Sequence, residues 1–231
     1  SYVDGPFKNE FTKLGIPVRI VEQESITPEF VAREIPKYNL VIANTVVTYK
    51  IADIAQEYVP VVWYIREAGN LPDFLWNKER EVALRRAKKL YCVSEYAQKI
   101  IQENYNKNVF VVHNFVDDVY CEVSNCVKEE KSKKVKFLAL GTIEKRKGYD
   151  VLINAFLSLP SEIRRKCELH FAGREFVWAK AFYTDIIKQA DEHDDIVYHG
   201  EIRDRDIIHQ LIKNCDVVVV PSRDESCSLV A

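Results

Sequence analysis

The chain has 231 residues, of which 47% are apolar and 11% aromatic, so it can fill more than one hydrophobic core, and two domains of ordinary size are the natural division. The 33 Lys and Arg stand against 35 Asp and Glu, a formal net charge of -2, which excludes a globally basic nucleic-acid binder; any anion site has to be local.

Short apolar, β-branched runs open the chain at Pro17 to Val21, Leu40 to Ala43, Val59 to Ile65, Leu90 to Val93 and Val109 to His113. The runs are continuous rather than alternating, which predicts strands buried on both faces of a parallel sheet, with helices as crossovers. Residues 1–118 are therefore expected to form a Rossmann-like α/β domain. A helix over Lys78 to Lys89 carries Lys78, Arg80, Arg85, Arg86, Lys88 and Lys89 against Glu79 and Glu81. Such a face is either solvated or suited to resting on anionic lipid or on an acceptor's phosphates.

Between Asp117 and Lys134 the pattern lapses into short apolar islands and a charged run from Lys128 to Lys134 with nothing to bury. Residues 119–134 are expected to be a linker. The strand rhythm restarts over residues 135–231: Val135 to Gly141, a helix from Tyr149 to Leu159, Glu168 to Gly173, a helix near Lys180 to Asp191, Ile196 to Gly200, a helix near Asp204 to Lys213, and Asp216 to Pro221. This is a second β-α-β-α layer. Two such sheets are expected to face a cleft, with chemistry just after the strands, at Gly141, Gly173, Gly200 and Ser222.

The segment from Gly141 to Gly148 runs from a strand through a polar loop into a helix. Glycine permits a sharp turn, a helix start offers backbone N–H groups to an anion, and Lys145, Arg146 and Lys147 add positive charge. That combination suits a diphosphate, or is a solvated basic loop. The Gly-x-Gly-x-x-Gly fingerprint and the P-loop are absent. His113 and His199 each follow an apolar strand and read as structural groups, and Asp194-Asp195 reads as a solvated pair.

The six cysteines, at 92, 121, 126, 167, 215 and 227, form no Cys-x-x-Cys pair. Cys92, Cys167 and Cys215 lie in apolar runs, as reduced cysteines of a cytoplasmic protein would. No apolar run approaches the roughly 20 residues that span a bilayer, and residues 1 to 7 lack a signal-peptide layout. Methionine is absent altogether, so the sequence is expected to be part of a longer product.

Lys147-Gly148 after a strand, Ala172-Gly173, His199-Gly200 and Pro221-Ser222-x-x-Glu225, in this order, closely resemble the donor-binding domain of family 4 retaining glycosyltransferases over Val135 to Ala231. The resemblance implies the GT-B architecture, two Rossmann-like parallel-sheet domains facing a cleft. Residues 1–118 would be the acceptor-side domain lacking its start, and 135–231 the donor-binding domain lacking its end. It implies that Lys147 contacts the donor diphosphate, that His199, Gly200 and Ile202 hold the base, and that Glu225 touches the donor sugar. Gly141, Thr142, Arg146, Gly173 and Ser222 complete the implied donor set. Thr142 stands where the family commonly has an arginine, with Arg146 or Lys145 to substitute, and Ser226-Cys227-Ser228 replaces a glycine-rich stretch. The second glutamate of the family's Glu-x7-Glu motif would fall beyond Ala231.

In the first half, Val61 to Glu67 is similar to the family's strand ending in His-Glu, with Arg66 in the histidine's place; Lys147, Glu225 and Arg66 are the implied catalytic residues. Val93 to Tyr96 and Val112 to Asp117 also match, with Phe115 in place of a glycine. The implied activity is transfer of a sugar from a nucleoside diphosphate sugar to a hydroxyl acceptor with retention, in surface polysaccharide or glycoconjugate synthesis. The implied partners are the nucleotide-sugar donor and a glycan or lipid-linked acceptor. No cofactor or metal is required, no nucleic acid is involved, and the setting is the cytoplasm, with peripheral contact to an anionic inner membrane face. The alternatives are a non-catalytic nucleotide-binding or scaffold module and a nucleotide-sugar epimerase on the same architecture.

Overall fold

β-Branched and aromatic runs pair as parallel strands in each half of the chain. The computed structural model describes Gly5 and residues 7–105, 107–115 and 134–229, which divide into two compact units, Ser1–Asn114 and Phe115–Ala231. The expected linker, residues 119–134, lies outside the described residues except for Lys134.

The first unit contains α1 (Phe7–Lys13), α2 (Pro28–Glu34), β1 (Val41–Asn44), α3 (Tyr49–Ala55), β2 (Val61–Ile65), α4 (Leu71–Leu75), α5 (Lys78–Arg86), β3 (Leu90–Cys92), α6 (Glu95–Tyr105) and β4 (Phe110–Val111). Its strands lie in the order β1-β2-β3-β4, all parallel, with Ala43 opposite Trp63 and Ile65 opposite Cys92. Burial alternates along β2, where Val61, Trp63 and Ile65 enter the core. β1 buries Ala43 but leaves Ile42 68% exposed, so the expectation of strands covered on both faces fails at this strand. The run Pro17 to Val21 forms no strand: no described strand pairs with it, and Ile16 and Ile20 are exposed. An apolar run without a ladder partner has no hydrogen-bonding reason to stay a strand. Helix α2 starts where Thr27 accepts from the Phe30 N–H at 3.2 Å, with Pro28 at its first position.

The basic helix α5 is tied to its own unit. Arg85 pairs with Glu81 at 2.7 Å and donates to the Tyr105 carbonyl at 2.8 Å, Arg86 meets Asp53 at 3.3 Å, and Arg80 donates to the Phe74 carbonyl at 3.1 Å. No helix among the described residues is long and apolar enough to cross a membrane.

The second unit contains β5 (Val135–Leu140), α7 (Tyr149–Leu157), α8 (Ser161–Arg164), β6 (Cys167–Ala172), α9 (Lys180–Asp191), β7 (Ile196–Tyr198), α10 (Arg205–Asn214) and β8 (Val217–Val218). The strand order is β7-β6-β5-β8, again parallel throughout. In α7, Tyr149, Ile153 and Phe156 recur at the i, i+4, i+7 spacing of one helical face and are buried with Leu169 and Phe171 of β6. Asp204 caps α10 by accepting from the Asp206 N–H at 2.9 Å. Asp195 is not a solvated acid: Arg164 grips both its oxygens at 2.6 Å, and this guanidinium holds its carboxyl below the usual range.

Candidate functional site

The second sheet winds outward from β5 in both directions. Strands β6 and β7 are laid down on one side; the chain then returns through α10 to place β8 on the other. The order therefore reverses between β5 and β8, the switch point beyond whose carboxyl ends doubly wound sheets bind ligands. Pairing of the two strands covers only Phe137 with Val217 and Leu138 with Val218. A cavity of about 250 Å³ opens there, lined by Leu140, Gly141, Thr142, Lys147 and Tyr149 on one side and by Pro221, Ser222, Glu225 and Cys227 on the other.

Lys147 ends a short 3-10 turn, Lys145–Lys147, just before Gly148 and α7. Its Nζ meets Glu225 Oε2 at 2.5 Å, and the same oxygen accepts from the Ser222 hydroxyl at 3.2 Å. The two charged side chains are 20% and 22% exposed, so solvent screens them less than it would a surface pair. Gly148 is the left-handed residue from which α7 departs, at φ +70°, and a Cβ there would stand 2.1 Å from the Pro221 carbonyl oxygen. Gly173 matters for close approach instead. A Cβ on it would stand 1.7 Å from the Gly141 carbonyl oxygen, so the absence of a side chain lets the ends of β5 and β6 come together.

Behind the cavity, the Tyr149 hydroxyl donates to the Gly141 carbonyl at 2.8 Å. Burial first, then the neighbouring Tyr198 hydroxyl, push its ionisation far above the ordinary phenol range, so it serves as a neutral donor. The two loops forming the walls are riveted together. Arg223 pairs with both oxygens of Asp150 at 2.8 Å and donates to the Lys145 carbonyl at 2.5 Å, while its N–H donates to the Arg146 carbonyl at 2.8 Å. Arg223 first, helped by nearby backbone N–H groups, holds the Asp150 carboxyl below the ordinary range, so a carboxylate already stands in the first turn of α7. Among the described residues that line the cavity, the positive group is Lys147.

The structure thus brings Gly141, Thr142, Lys147, Ser222 and Glu225 together around one cavity. Arg146 does not line it: its guanidinium pairs with Glu144 at 2.8 Å and donates to the Asp224 carbonyl at 3.1 Å, stapling one wall to the other. Gly173, His199, Gly200 and Ile202 also stand off the cavity wall. Gly200, at φ +76°, accepts from the Gly173 N–H at 3.0 Å. Tyr149, Asp150 and Arg223 were not among the expected site residues. Tyr149 directly follows the Lys-Gly pair and could have been picked out; Asp150 and Arg223 lie 73 residues apart and no spacing announces them.

Arg66 belongs to the first unit, at the carboxyl end of β2, with its guanidinium 5.8 Å from the centre of the Tyr64 ring. Beside it, Glu67 Oε2 accepts from the N–H groups of Val46 and Arg66, both at 3.0 Å. Burial raises the Glu67 carboxyl, against the pull of those N–H groups and of Arg66. The same edge holds Thr45 at φ +75°, a strained conformation for a β-branched residue. It is fixed by Thr45 N–H to the Tyr64 carbonyl at 2.8 Å and by Trp63 Nε1 to the Thr45 carbonyl at 2.9 Å. His113 of this unit contacts the Val93 carbonyl and Glu95, each at 3.2 Å.

His199 stacks on His170 with ring centres 5.2 Å apart, and His170 Nδ1 lies 2.9 Å from His199 Nε2. One nitrogen must donate and the other accept, so the pair cannot hold a proton on both facing atoms. Glu168, 3.3 Å from His170 and 3.2 Å from Lys134, completes the group. Burial, then His170 and Lys136, lower the His199 pKa below its ordinary 6.5. In the unfolded chain that imidazole binds a proton more readily than in the fold. Its stabilising contribution is therefore complete above pH 6.5 and is lost as pH falls through the lower folded value. Melting temperature is expected to fall between pH 7.5 and 5.5, and His199→Asn is expected to flatten that dependence; equal slopes for parent and variant would contradict the assignment.

The fold and the cavity define a class: a doubly wound parallel α/β unit with a lysine-lined cavity at its switch point. Residues 124–231 match the family model of glycosyl transferases group 1, covering nearly all of the second unit. Among solved structures, the chain is similar to Anabaena Alr3699/HepE in complex with UDP and glucose, with 18% identity over 97% of this chain and 66% of that one, at a TM-score of 0.75. The same protein in complex with UDP-glucose gives 19% identity, 97% and 66% coverage, and 0.73. A UDP-forming α,α-trehalose-phosphate synthase from Burkholderia xenovorans, in complex with glucose-6-phosphate, gives 11% identity, 88% and 57% coverage, and 0.66. These likenesses establish the fold, and the chain spans about two thirds or less of each relative's length. A search of curated proteins returns no match. The family match is confined to residues 124–231, and the fold shared with these structures is the two-sheet α/β GT-B architecture.

Proposed function

We propose that this protein transfers a glycosyl group from a nucleoside diphosphate sugar to a hydroxyl acceptor with retention at the anomeric carbon, as a family 4 glycosyltransferase. The observation that carries the proposal is the meeting of Lys147 and Glu225 in the cavity at the β5 and β8 switch point. On this reading Lys147 neutralises the diphosphate as it departs and its charge grows, a contribution made where water is partly excluded. Ser222 and Glu225 face the sugar, and the reading assigns no step to a cofactor or metal. Uridine is the favoured base, because UDP and UDP-glucose are what the similar Anabaena protein holds.

The acceptor is proposed to be a glycan or a lipid-linked sugar used in surface polysaccharide or glycoconjugate assembly. The free cysteines, Cys92 and Cys167 buried among them, support a reducing, cytoplasmic setting. Contact with an anionic membrane face through α5 would use the part of its charge not already engaged inside the unit. The test is proton NMR of the anomeric region during incubation with a panel of α-linked UDP-, GDP- and ADP-sugars and hydroxyl acceptors. The expected result is nucleoside diphosphate release with a new α-linkage. A β-linked product would overturn retention, and no release from any donor would overturn the transferase.

A further inference from the structure

We infer that Glu225 is a built-in counter-ion for Lys147 which the donor's diphosphate must displace, and that this exchange makes the site favour a nucleotide still carrying its sugar over one that has lost it. The inference rests on the donor-site reading above.

The Lys147 ammonium is already matched within the protein: Glu225 Oε2 is 2.5 Å away and largely shielded from solvent. A diphosphate arriving at Lys147 would bring negative charge against that carboxylate, and like charges at such a distance repel strongly in a partly desolvated site. The carboxylate must therefore turn away. Its flanks cannot easily follow, because Arg146 holds the Asp224 carbonyl and Arg223 is locked to Asp150 and the Lys145 carbonyl. The moving part is the Glu225 side chain, which exchanges one rotamer for another while the loop stays in place.

What the carboxylate finds after turning decides the preference. A carboxylate only accepts hydrogen bonds, and a sugar ring offers hydroxyl donors to it. A nucleotide sugar thus supplies new partners for the displaced group, whereas a nucleoside diphosphate supplies only more negative charge. After transfer, Glu225 competes with the product for Lys147 and helps to expel it. No bond is made or broken in this exchange; it is a swap of ion-pair partners.

The test is calorimetric titration of the full chain and of Glu225→Gln with UDP, GDP and ADP, and with the sugar nucleotide of whichever binds best. Glutamine keeps the volume and removes the charge. It is expected to tighten diphosphate binding about ten- to a hundredfold, to tighten sugar-nucleotide binding less or to weaken it, and to lose its gain when Lys147→Ala is combined with it. Glu225→Ala has the same expected sign and serves if the glutamine variant melts early. Unchanged or weaker diphosphate binding in the variant, or an equal gain for both ligands, would overturn the counter-ion role while leaving the donor site standing. Absence of diphosphate binding in parent and variants alike would overturn the donor site itself, and the inference with it.

Discussion

Lys147→Ala is expected to lower sugar transfer about 100- to 1,000-fold, the usual cost of removing one group that stabilises charge developing in a transition state. The effect should lie mainly in kcat, because the diphosphate carries more charge as it leaves than it does in the bound donor. Stability should change little. Among the described residues the ammonium has one charged partner, Glu225, and that carboxylate keeps the Ser222 hydroxyl and some solvent access once the lysine is gone. Lys147 also covers Gly141, with Cε 3.7 Å from where a Cβ would sit, so alanine leaves a gap open to the cavity and creates no buried void. Steady-state kinetics beside thermal melting checks both halves, and a variant with parental kcat would remove Lys147 from the chemistry.

Gly148→Ala is expected to damage the second unit severely, at about 3 kcal/mol or more. Two costs add. The left-handed backbone at φ +70° strains an alanine by about 1 kcal/mol. The new methyl would then stand 2.1 Å from the Pro221 carbonyl oxygen and 2.9 Å from its carbonyl carbon, contacts that only separation of the two loops can relieve. Gly200 provides the control, since it has nearly the same φ, +76°, with no atom within 4 Å of where its Cβ would stand. Gly200→Ala should show the backbone cost alone. Chemical denaturation of the two variants separates conformational strain from collision, and equal losses would show that Pro221 yields without cost.

Much of the second unit could be read from the chain itself. Its apolar runs became β5 to β8 within a few residues of their expected ends, with Gly141 and Gly173 directly after β5 and β6 and Asp195 and Asp216 directly before β7 and β8. Lys147, Ser222 and Glu225 reach one cavity for a related reason: each follows a strand, and parallel topology carries such positions to one edge. Where the sequence misled, the cause was a partner it could not display. Arg146, expected at the diphosphate, is held by Glu144 and the Asp224 carbonyl, partners that no spacing displays. Asp195 was expected in solvent until Arg164, 31 residues earlier, proved to hold it. Pro17 to Val21 has the composition of a strand and no described neighbour to pair with. Composition records what a residue can do, whereas these outcomes depended on what else reached it.

The rivet between Arg223 and Asp150 also fixes a timetable. Among the described strands of its unit β5 is the first to leave the ribosome, yet it lies in the interior of the sheet, and one of its flanks stays vacant until β8 has been made some 80 residues later. Synthesis is slow beside helix formation, so β5, β6 and β7 can associate while the far wall of the cavity is still to be translated. A nascent chain halted before Val217 would own Lys147 and have nothing to place opposite it. The two walls of the cavity thus come together late, when the loop after β8 closes over the loop after β5.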